Sequence, residues 1–488
     1  MRNSIKLFGI LALSTIVIFA FSACSNPSVG GDHTHSYNWT ITTPATPWSE
    51  GVETGTCSCS VIQKRQIPKI IPDVTINLEA ASFTEIVTGV TNDSASPNIS
   101  VSPGADKIVL IKGDTGSVER AISIYNATNI YIADNTIIKT ESLQALLVPA
   151  KSTITGGGDN IIIMNQTSFA GQIYAIYSNG DITILGTLGD ITGYSNGSGC
   201  GIHTGGALSI CGTIGNISGG TNGIESSGAI TISGTIGNVI NNSTNYPYGI
   251  KSNKDIIISG TIGNIDAVIT SSRSYGIDSG GVLKISGTVG NISASMLGIN
   301  STGDLMISGS IGDITLGGYS DNNRNGIYSG GNLTISGTIG NINSTGVRGA
   351  FGIGSNNQTV ISGSIGNINV TGSLGAVGIA SGAVSITGII GDITVMSTTS
   401  GGYVTQGIRS DGDVIISGTI GNISASGNSL NFVYGIQAGS KVEITEKGII
   451  GDNTASSVSA TTAQIRVGSN DYNGGTGFPK PTPKPWVW

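Results

Sequence analysis

Four ionisable side chains occupy the same place in four consecutive repeats of this chain. Each of them directly follows a Gly-Ile pair, and the four are His203, Glu225, Lys251 and Asp278. Imidazole, carboxylate and ammonium groups at one level of a stack can bind sugar hydroxyls or transfer protons. We therefore treat these four residues as a candidate binding set.

The ionisable residues at this position span only four consecutive repeats. The same position in the following repeats holds Asn300, Tyr328, Gly354 and Ala380, and a charge returns only at Arg409. No group of carboxylates recurs at one level, as acid–base cleavage of a polysaccharide requires. We expect a ladder of neighbouring side chains without catalysis, and keep a polysaccharide-binding or polysaccharide-cleaving enzyme as the alternative function.

The repeat that must position these residues is marked by ten Gly-Ile pairs. They begin at intervals of 22 to 29 residues between Gly201 and Gly435. In eight of the ten repeats, 14 residues separate this glycine from the glycine before an Asn or Asp, whereas the remainder varies from 8 to 16 residues. A near-constant period indicates stacked coils, with the insertions emerging along one edge.

The composition and the alternation within each repeat predict strands. Glycine accounts for 76 of the 488 residues, and only 10% of residues are charged. In the segment Ile285 to Val289, apolar residues alternate with Ser and Thr, so Ile and Val should point inward. We expect Ser279 and its equivalents to point inward as well, and the Asn or Asp after the second glycine to form a side-chain ladder at one corner.

These features together resemble the right-handed parallel β-helix of pectin-lyase-like proteins. The resemblance implies an all-β solenoid, and the repeats give about eleven regular coils preceded by irregular ones. Because many proteins of this type bind or cleave acidic polysaccharides through charged side chains on one outer strand face, the resemblance also implies that the candidate set faces a glycan. The left-handed type is disfavoured because a strict hexapeptide repeat is absent. A leucine-rich repeat is the alternative fold, because Leu-x-Ile-x-x-x-Ile resembles the strand of that repeat.

The N-terminus has the pattern of an export signal. Arg2 and Lys6 precede an apolar run from Leu7 to Phe21, which is shorter than the ~20 residues of a membrane span. The sequence Phe-Ser-Ala-Cys ending at Cys24 resembles the lipobox of bacterial lipoproteins, with Phe in place of the usual Leu. This resemblance implies removal of residues 1–23, palmitate and other acyl chains on Cys24, and a position in the cell envelope. Ser25 after the cysteine favours the outer membrane.

The remaining chain divides into four predicted regions. Residues 24–72 form a tether and a small module, 73–170 an N-terminal cap with irregular coils, 171–456 the regular β-helix and 457–488 a proline-containing tail. The order of elements in the module resembles a segment of bacterial cell-surface proteins. We expect no cofactor, although the module holds four potential zinc ligands, which are His33, His35, Cys57 and Cys59. Cys200 and Cys211 could form a disulfide.

The net charge of −7 and the lack of a Lys/Arg-rich stripe exclude nucleic acid as an expected partner. We predict a lipid-anchored cell-surface structural or adhesion protein that displays variable loops on a β-helical rod. Its expected partners are the membrane, through the lipidated cysteine, and glycans or surface proteins of a host or of bacteria.

The anchor can be tested by metabolic labelling with palmitate in a bacterial host. We expect Cys24→Ala to abolish incorporation, because the acyl chains attach to that cysteine, while Cys57→Ala retains it. Labelling that survives the Cys24 change would rule out the anchor.

Overall fold

The structure is a computed structural model. It describes residues 36–58, 60–79, 90–92, 98–102, 107–115, 120–166, 173–195, 199–241, 246–267, 273–317, 324–399, 404–427, 432–457, 461–467, 470–472 and 486–487. Regular secondary structure in these ranges consists of strands. Accordingly, these ranges contain no helix long and apolar enough to cross a membrane.

The described chain forms two compact units. The smaller one contains an antiparallel sheet of three strands, Tyr37–Thr43, Gly51–Cys57 and Ile62–Ile67. Trp39 packs against Gly55 across the first two strands, where a Cβ on the glycine would lie 3.0 Å from the indole ring.

The larger unit is a parallel β-helix of the right-handed type, as predicted. Each coil visits three sheets in turn, which we call sheets I, II and III. One coil runs from Cys200–Thr204 in sheet I, through Leu208–Ile210 and Thr213–Ile214 in sheet II, to Ile217–Gly219 in sheet III. The next coil re-enters sheet I at Asn222–Ser226, in register with the strand before it. The connection from sheet III to sheet I is the corner of variable length.

The strands of sheet I are Val90–Asn92, Ile99–Val101, Ile122–Ile124, Gln144–Val148, Tyr174–Ser178, Cys200–Thr204, Asn222–Ser226, Tyr248–Ser252, Tyr275–Ser279, Leu297–Ser301, Arg324–Ser329, Gly349–Ser355, Gly375–Ser381, Val404–Ser410, Phe432–Ala438, Thr461–Val467 and Asn470–Tyr472. The strands of sheet II are Val74–Asn77, Ile108–Lys112, Asn129–Ile132, Ser152–Gly157, Ile182–Leu188, Leu208–Ile210, Thr213–Ile214, Ile230–Ile232, Thr235–Ile236, Ile256–Ile258, Thr261–Ile262, Leu283–Ile285, Thr288–Val289, Leu305–Ile307, Ser310–Ile311, Leu333–Ile335, Thr338–Ile339, Gln358–Ile361, Ser364–Ile365, Ala383–Ile386, Ile389–Ile390, Val414–Ile416, Thr419–Ile420, Val442–Ile444, Ile449–Ile450 and Trp486–Val487. The strands of sheet III are Ile137–Thr140, Ile161–Gln166, Ile191–Ser195, Ile217–Gly219, Val239–Asn241, Ile265–Asp266, Ile292–Ala294, Ile314–Leu316, Ile342–Gly346, Ile368–Gly372, Ile393–Ser397, Ile423–Gly427 and Asn453–Ser457.

The core is a column of stacked aliphatic side chains inside the coils. The isoleucines of the Gly-Ile pairs, such as Ile277 and Ile299, are completely buried. The preceding glycine is required because sheets I and III approach each other closely there. A Cβ on Gly276 would lie 2.4 Å from Cγ2 of Ile292 and 2.5 Å from the carbonyl oxygen of Gly298.

The predicted inward serines are buried, and they bond to the backbone rather than to each other. The hydroxyl of Ser301 donates to the carbonyl oxygen of Gly281 at 2.7 Å, and that of Ser355 to the carbonyl oxygen of Gly331 at 2.8 Å. Each bond joins one coil to the coil before it, and it satisfies a hydroxyl that burial would otherwise leave unpaired.

The corner between sheets II and III carries the predicted ladder of Asn and Asp. The side-chain oxygen of each residue accepts the backbone N–H of the equivalent residue one coil later. Asn264 accepts from Asn291 at 2.9 Å, Asn291 from Asp313 at 2.9 Å, and Asp313 from Asn341 at 2.7 Å. The same bond recurs in every coil from Asp190 to Asp452, so this ladder, which we call the corner ladder, fixes the register of the stack.

Substitution of one inward glycine should destabilise the rod. We expect Gly276→Ala to lower the free energy of unfolding by about 1–3 kcal/mol, because the methyl group overpacks the contact with Ile292. Gly317→Ala is the matched control, since a Cβ at Gly317 would meet no atom within 4 Å. Equal denaturant midpoints for the two variants would contradict this account of the repeat.

Candidate functional site

The Gly-Ile pair shapes the outer surface of sheet I as well as its interior. Because the glycine interrupts the alternation of the strand, the residue before it and the residue two after it both face outward. The rings of Tyr174 and Tyr177 have centroids 4.7 Å apart, and Lys251 Nζ lies 4.9 Å from the centroid of the Tyr248 ring. Each coil therefore places two side chains next to each other on this face.

The four residues predicted from the sequence form one continuous file on this face. In the parallel register, His203 pairs with Glu225, Glu225 with Lys251, and Lys251 with Asp278. Glu225 accepts from Lys251 Nζ at 3.0 Å on one oxygen, and its other oxygen lies 3.2 Å from His203 Nδ1. Asp278 accepts a hydrogen bond of 2.6 Å from Asn300 Nδ2, so the file ends in an amide.

A second file runs beside the first and was not predicted from the sequence. It consists of the residues that precede each glycine, or the equivalent Ala175 in the earliest coil, namely Tyr174, Cys200, Asn222, Tyr248 and Tyr275. The rings of Tyr248 and Tyr275 stack with centroids 4.6 Å apart and an angle of 9° between them. The recurring triplet Tyr-Gly-Ile in the sequence is the signal that could have revealed this file.

Both files together form a surface that we call the sheet I strip. Its members are Tyr174, Tyr177, Cys200, His203, Asn222, Glu225, Tyr248, Lys251, Tyr275 and Asp278. At one end the His203 ring stacks on Tyr177 at 5.5 Å with an angle of 6°. Aromatic rings therefore lie at both ends of the strip, on either side of a charged centre, an arrangement that suits ligands with both apolar and polar surfaces.

The environment of the strip shifts the pKa values of its two carboxyl groups in opposite directions. Burial opposes ionisation of Glu225, but the hydrogen bond from His203 and the charge of Lys251 outweigh it and lower the pKa to about 2. Burial raises the pKa of Asp278, only partly offset by Asn300 and Lys251. Burial also raises the pKa of Tyr174 and of Tyr275 to about 12, so their hydroxyl groups stay protonated at neutral pH.

A cavity of about 600 Å³ opens on the same sheet several coils later. Its wall includes Phe351 and Leu374 together with two guanidinium groups, those of Arg348 and Arg409. Arg409 contacts Asp411 at 3.4 Å. The return of charge that the sequence showed at Arg409 therefore belongs to this cavity and not to the sheet I strip.

The other predicted site residues are placed only in part. Cys24, His33, His35 and Cys59 lie outside the described residues, and Cys57 lies at the end of the strand Gly51–Cys57. The zinc set of the N-terminal module and the lipid attachment therefore remain predictions. Cys200 and Cys211 form no disulfide with each other, since the first is buried in the strip and the second is an exposed thiol beside sheet II.

Comparisons with protein-family models, curated proteins and solved structures gave no match for this chain. The interpretation of the strip therefore depends on its own geometry.

The charged centre should contribute to stability in a pH-dependent way. The pKa of Glu225 in the folded protein lies below the ~4.3 of an unfolded glutamate. Its ionised form therefore stabilises the fold above pH ~4.3, and this contribution disappears as the pH falls towards about 2. We expect Glu225→Gln to lower the free energy of unfolding at pH 7 by about 1–2 kcal/mol, a value reduced for the partial exposure of the site.

Denaturant unfolding at a series of pH values from 7 down to about 2 would measure this effect. Glu446→Gln removes the same charge from an exposed position and is expected to change stability little at any pH. A Glu225→Gln effect that did not shrink with falling pH would contradict the ion-pair explanation.

Proposed function

We propose that this protein is a lipid-anchored adhesion protein of the bacterial cell surface and that the sheet I strip is its glycan-binding surface. The observation that carries the proposal is the pairing of stacked tyrosine rings with a line of charged and amide groups on one face. Pyranose rings present an apolar face and a rim of hydroxyl groups, and such a surface complements both.

The ion pairs of the strip favour binding over catalysis. One carboxylate oxygen of Glu225 accepts from Lys251, and the other faces His203. The second oxygen also accepts a hydrogen bond of 2.8 Å from Nδ2 of Asn222. A carboxylate held by three neighbours is fixed in position and is poorly placed to attack a sugar or accept a proton. The same bonds orient the groups around it, so a sugar would meet a preorganised surface at low entropic cost.

The proposed position at the outer membrane is supported by the lipobox-like sequence ending at Cys24 and by the export signal before it. Each variable corner between sheets III and I leads into a strand of sheet I, the sheet that carries the strip. They would surround the binding surface with loops that differ from coil to coil, as expected for a protein that displays loops on a rod.

One observation favours the enzyme alternative. Glu225 and Asp278 lie two coils apart, which the strand spacing puts at roughly 9.6 Å, and their pKa values are shifted in opposite directions. Inverting glycosidases separate an acid and a base by about 6.5–9.5 Å, so this spacing lies at the upper limit of that range. Divergent pKa values are typical of such a pair. We keep polysaccharide cleavage as the second candidate function for this reason.

The binding proposal can be tested on the purified mature rod with an array of host and bacterial glycans. We expect binding that is lost, or weakened at least about tenfold, in a Tyr248→Ala/Tyr275→Ala double variant, because each ring contributes about 1 kcal/mol of stacking. Tyr125→Ala, at an exposed position outside the strip, should leave binding unchanged.

Lys251→Ala should also weaken binding, whereas Lys284→Ala on the exposed face of sheet II should not. Binding to no glycan, or binding equally lost in the two control variants, would overturn the proposal. Release of shortened products from a bound glycan by the unmodified rod would instead establish the enzyme alternative.

A further inference from the structure

Three different metal-binding groups meet at the floor of the sheet I strip. The thiol of Cys200, the imidazole of His203 and the carboxylate of Glu225 each offer a ligand atom, and these atoms lie within 4.8 Å of one another. Cys200 is only 3% exposed, and the other two side chains are half-buried. The parallel register creates this cluster, because Cys200 and His203 come from one strand and Glu225 from the next.

The donor set matches one class of ion. Thiolate, imidazole and carboxylate together suit zinc, whereas calcium and magnesium prefer oxygen ligands. Ligand atoms around a tetrahedral zinc ion lie roughly 3.5 Å apart, as follows from bonds of about 2.0–2.3 Å. Zinc binding would therefore draw the three ligand atoms together by about 1 Å.

A second observation points to a ligand at the same place. The Oδ1 atom of Asn222 is buried and accepts no hydrogen bond from the residues that the structure describes. Asn222 is 5% exposed, and its Nδ2 atom donates to Glu225, so the amide packs against the cluster. Three protein ligands leave a fourth position for water on zinc, and a water there could donate the hydrogen bond that Oδ1 lacks.

The charges of the cluster are compatible with a divalent cation. Glu225 is ionised at neutral pH. Its Oε1 atom accepts from Lys251, whereas its Oε2 atom faces His203 and accepts from Asn222. The ring of His203 packs against two tyrosine rings, with centroids 4.8 Å from that of Tyr174 and 5.5 Å from that of Tyr177. Burial raises the pKa of the Cys200 thiol, so a metal ion would have to displace its proton, as zinc does when it binds cysteine.

We propose that Cys200, His203 and Glu225 form a binding site for one zinc ion, with Asn222 positioned to bind a water molecule on that ion. The site differs from the zinc set predicted for the N-terminal module, since it shares no ligand with His33, His35, Cys57 and Cys59. It does not depend on glycan binding, although an ion here would place a positive charge in the centre of the strip.

Cobalt is the probe of choice, because tetrahedral Co²⁺ with a thiolate ligand gives a charge-transfer band and intense visible bands. The full mature chain would be stripped of metal, kept reduced and titrated with Co²⁺ and then with Zn²⁺. A Cys57→Ser/Cys59→Ser background removes the thiolates of the other predicted set. We expect one equivalent of Co²⁺ with a thiolate band in this background, displaced by one equivalent of Zn²⁺.

The ligands are then assigned with variants in the same background. Cys200→Ser should abolish the thiolate band and weaken Zn²⁺ binding by more than about tenfold, which is the least that loss of even an outer-shell partner costs. Cys211→Ser, which removes an exposed thiol, should leave the band and the affinity unchanged. His203→Gln provides a test at a half-buried position if Cys200→Ser does not fold.

The proposal is overturned if the background protein gives no thiolate band with Co²⁺, or if the band persists in Cys200→Ser or vanishes in Cys211→Ser. Unchanged Zn²⁺ affinity in a folded His203→Gln variant would also overturn it. Each readout uses the metal alone, so failure here leaves the glycan-binding proposal untouched, and failure of the glycan array leaves this one untouched.

Discussion

The corner ladder is the constraint on which the rest of the structure depends. Each Asn or Asp side chain accepts the backbone N–H of its equivalent in the next coil, for instance Asn264 from Asn291 at 2.9 Å. The bond forms only when equivalent residues of the two coils lie side by side. A slip of one residue would break it and would also turn inward side chains outward. In most coils the ladder therefore fixes the length of the part that runs through sheets I and II, and the variable lengths fall between sheets III and I.

The sheet I strip is a direct product of that alignment. His203, Glu225 and Lys251 are separated by more than twenty residues in sequence, yet they meet because the coils are in register. The close approach of sheets I and III removes a side chain at the glycine of each Gly-Ile pair and turns the preceding residue outward. One packing constraint inside the rod thus places the residue before each glycine on the outer face of sheet I.

The sequence predicted the fold and one of the two files of the strip. Period and alternation predicted the parallel coils, the inward serines such as Ser301, and a ladder of Asn and Asp. The bond that recurs in every coil runs from a backbone N–H to a side-chain oxygen. Bonds between side chains are added where an Asn follows an Asp, at Asp190 and Asp313. The file containing Cys200 and Tyr248 was missed because strict alternation would turn the residue before each glycine into the core. The bend at the glycine could not be deduced without knowing how closely two sheets approach.

The order of charges along the strip also restricts how the chain can change in length. Loss or gain of one whole coil preserves the corner ladder, so unequal exchange between repeats would leave the rod intact. Deletion of the coil that carries Lys251, however, would set Glu225 directly beside Asp278, whose pKa is already raised by burial. The attraction between Glu225 and Lys251 would be replaced by a repulsion between the half-buried carboxyl groups of Glu225 and Asp278. A coil can thus be added or removed without breaking the corner ladder, but within the strip the order of the charged side chains matters. The number of repeats can therefore vary more freely elsewhere in the rod than within the strip.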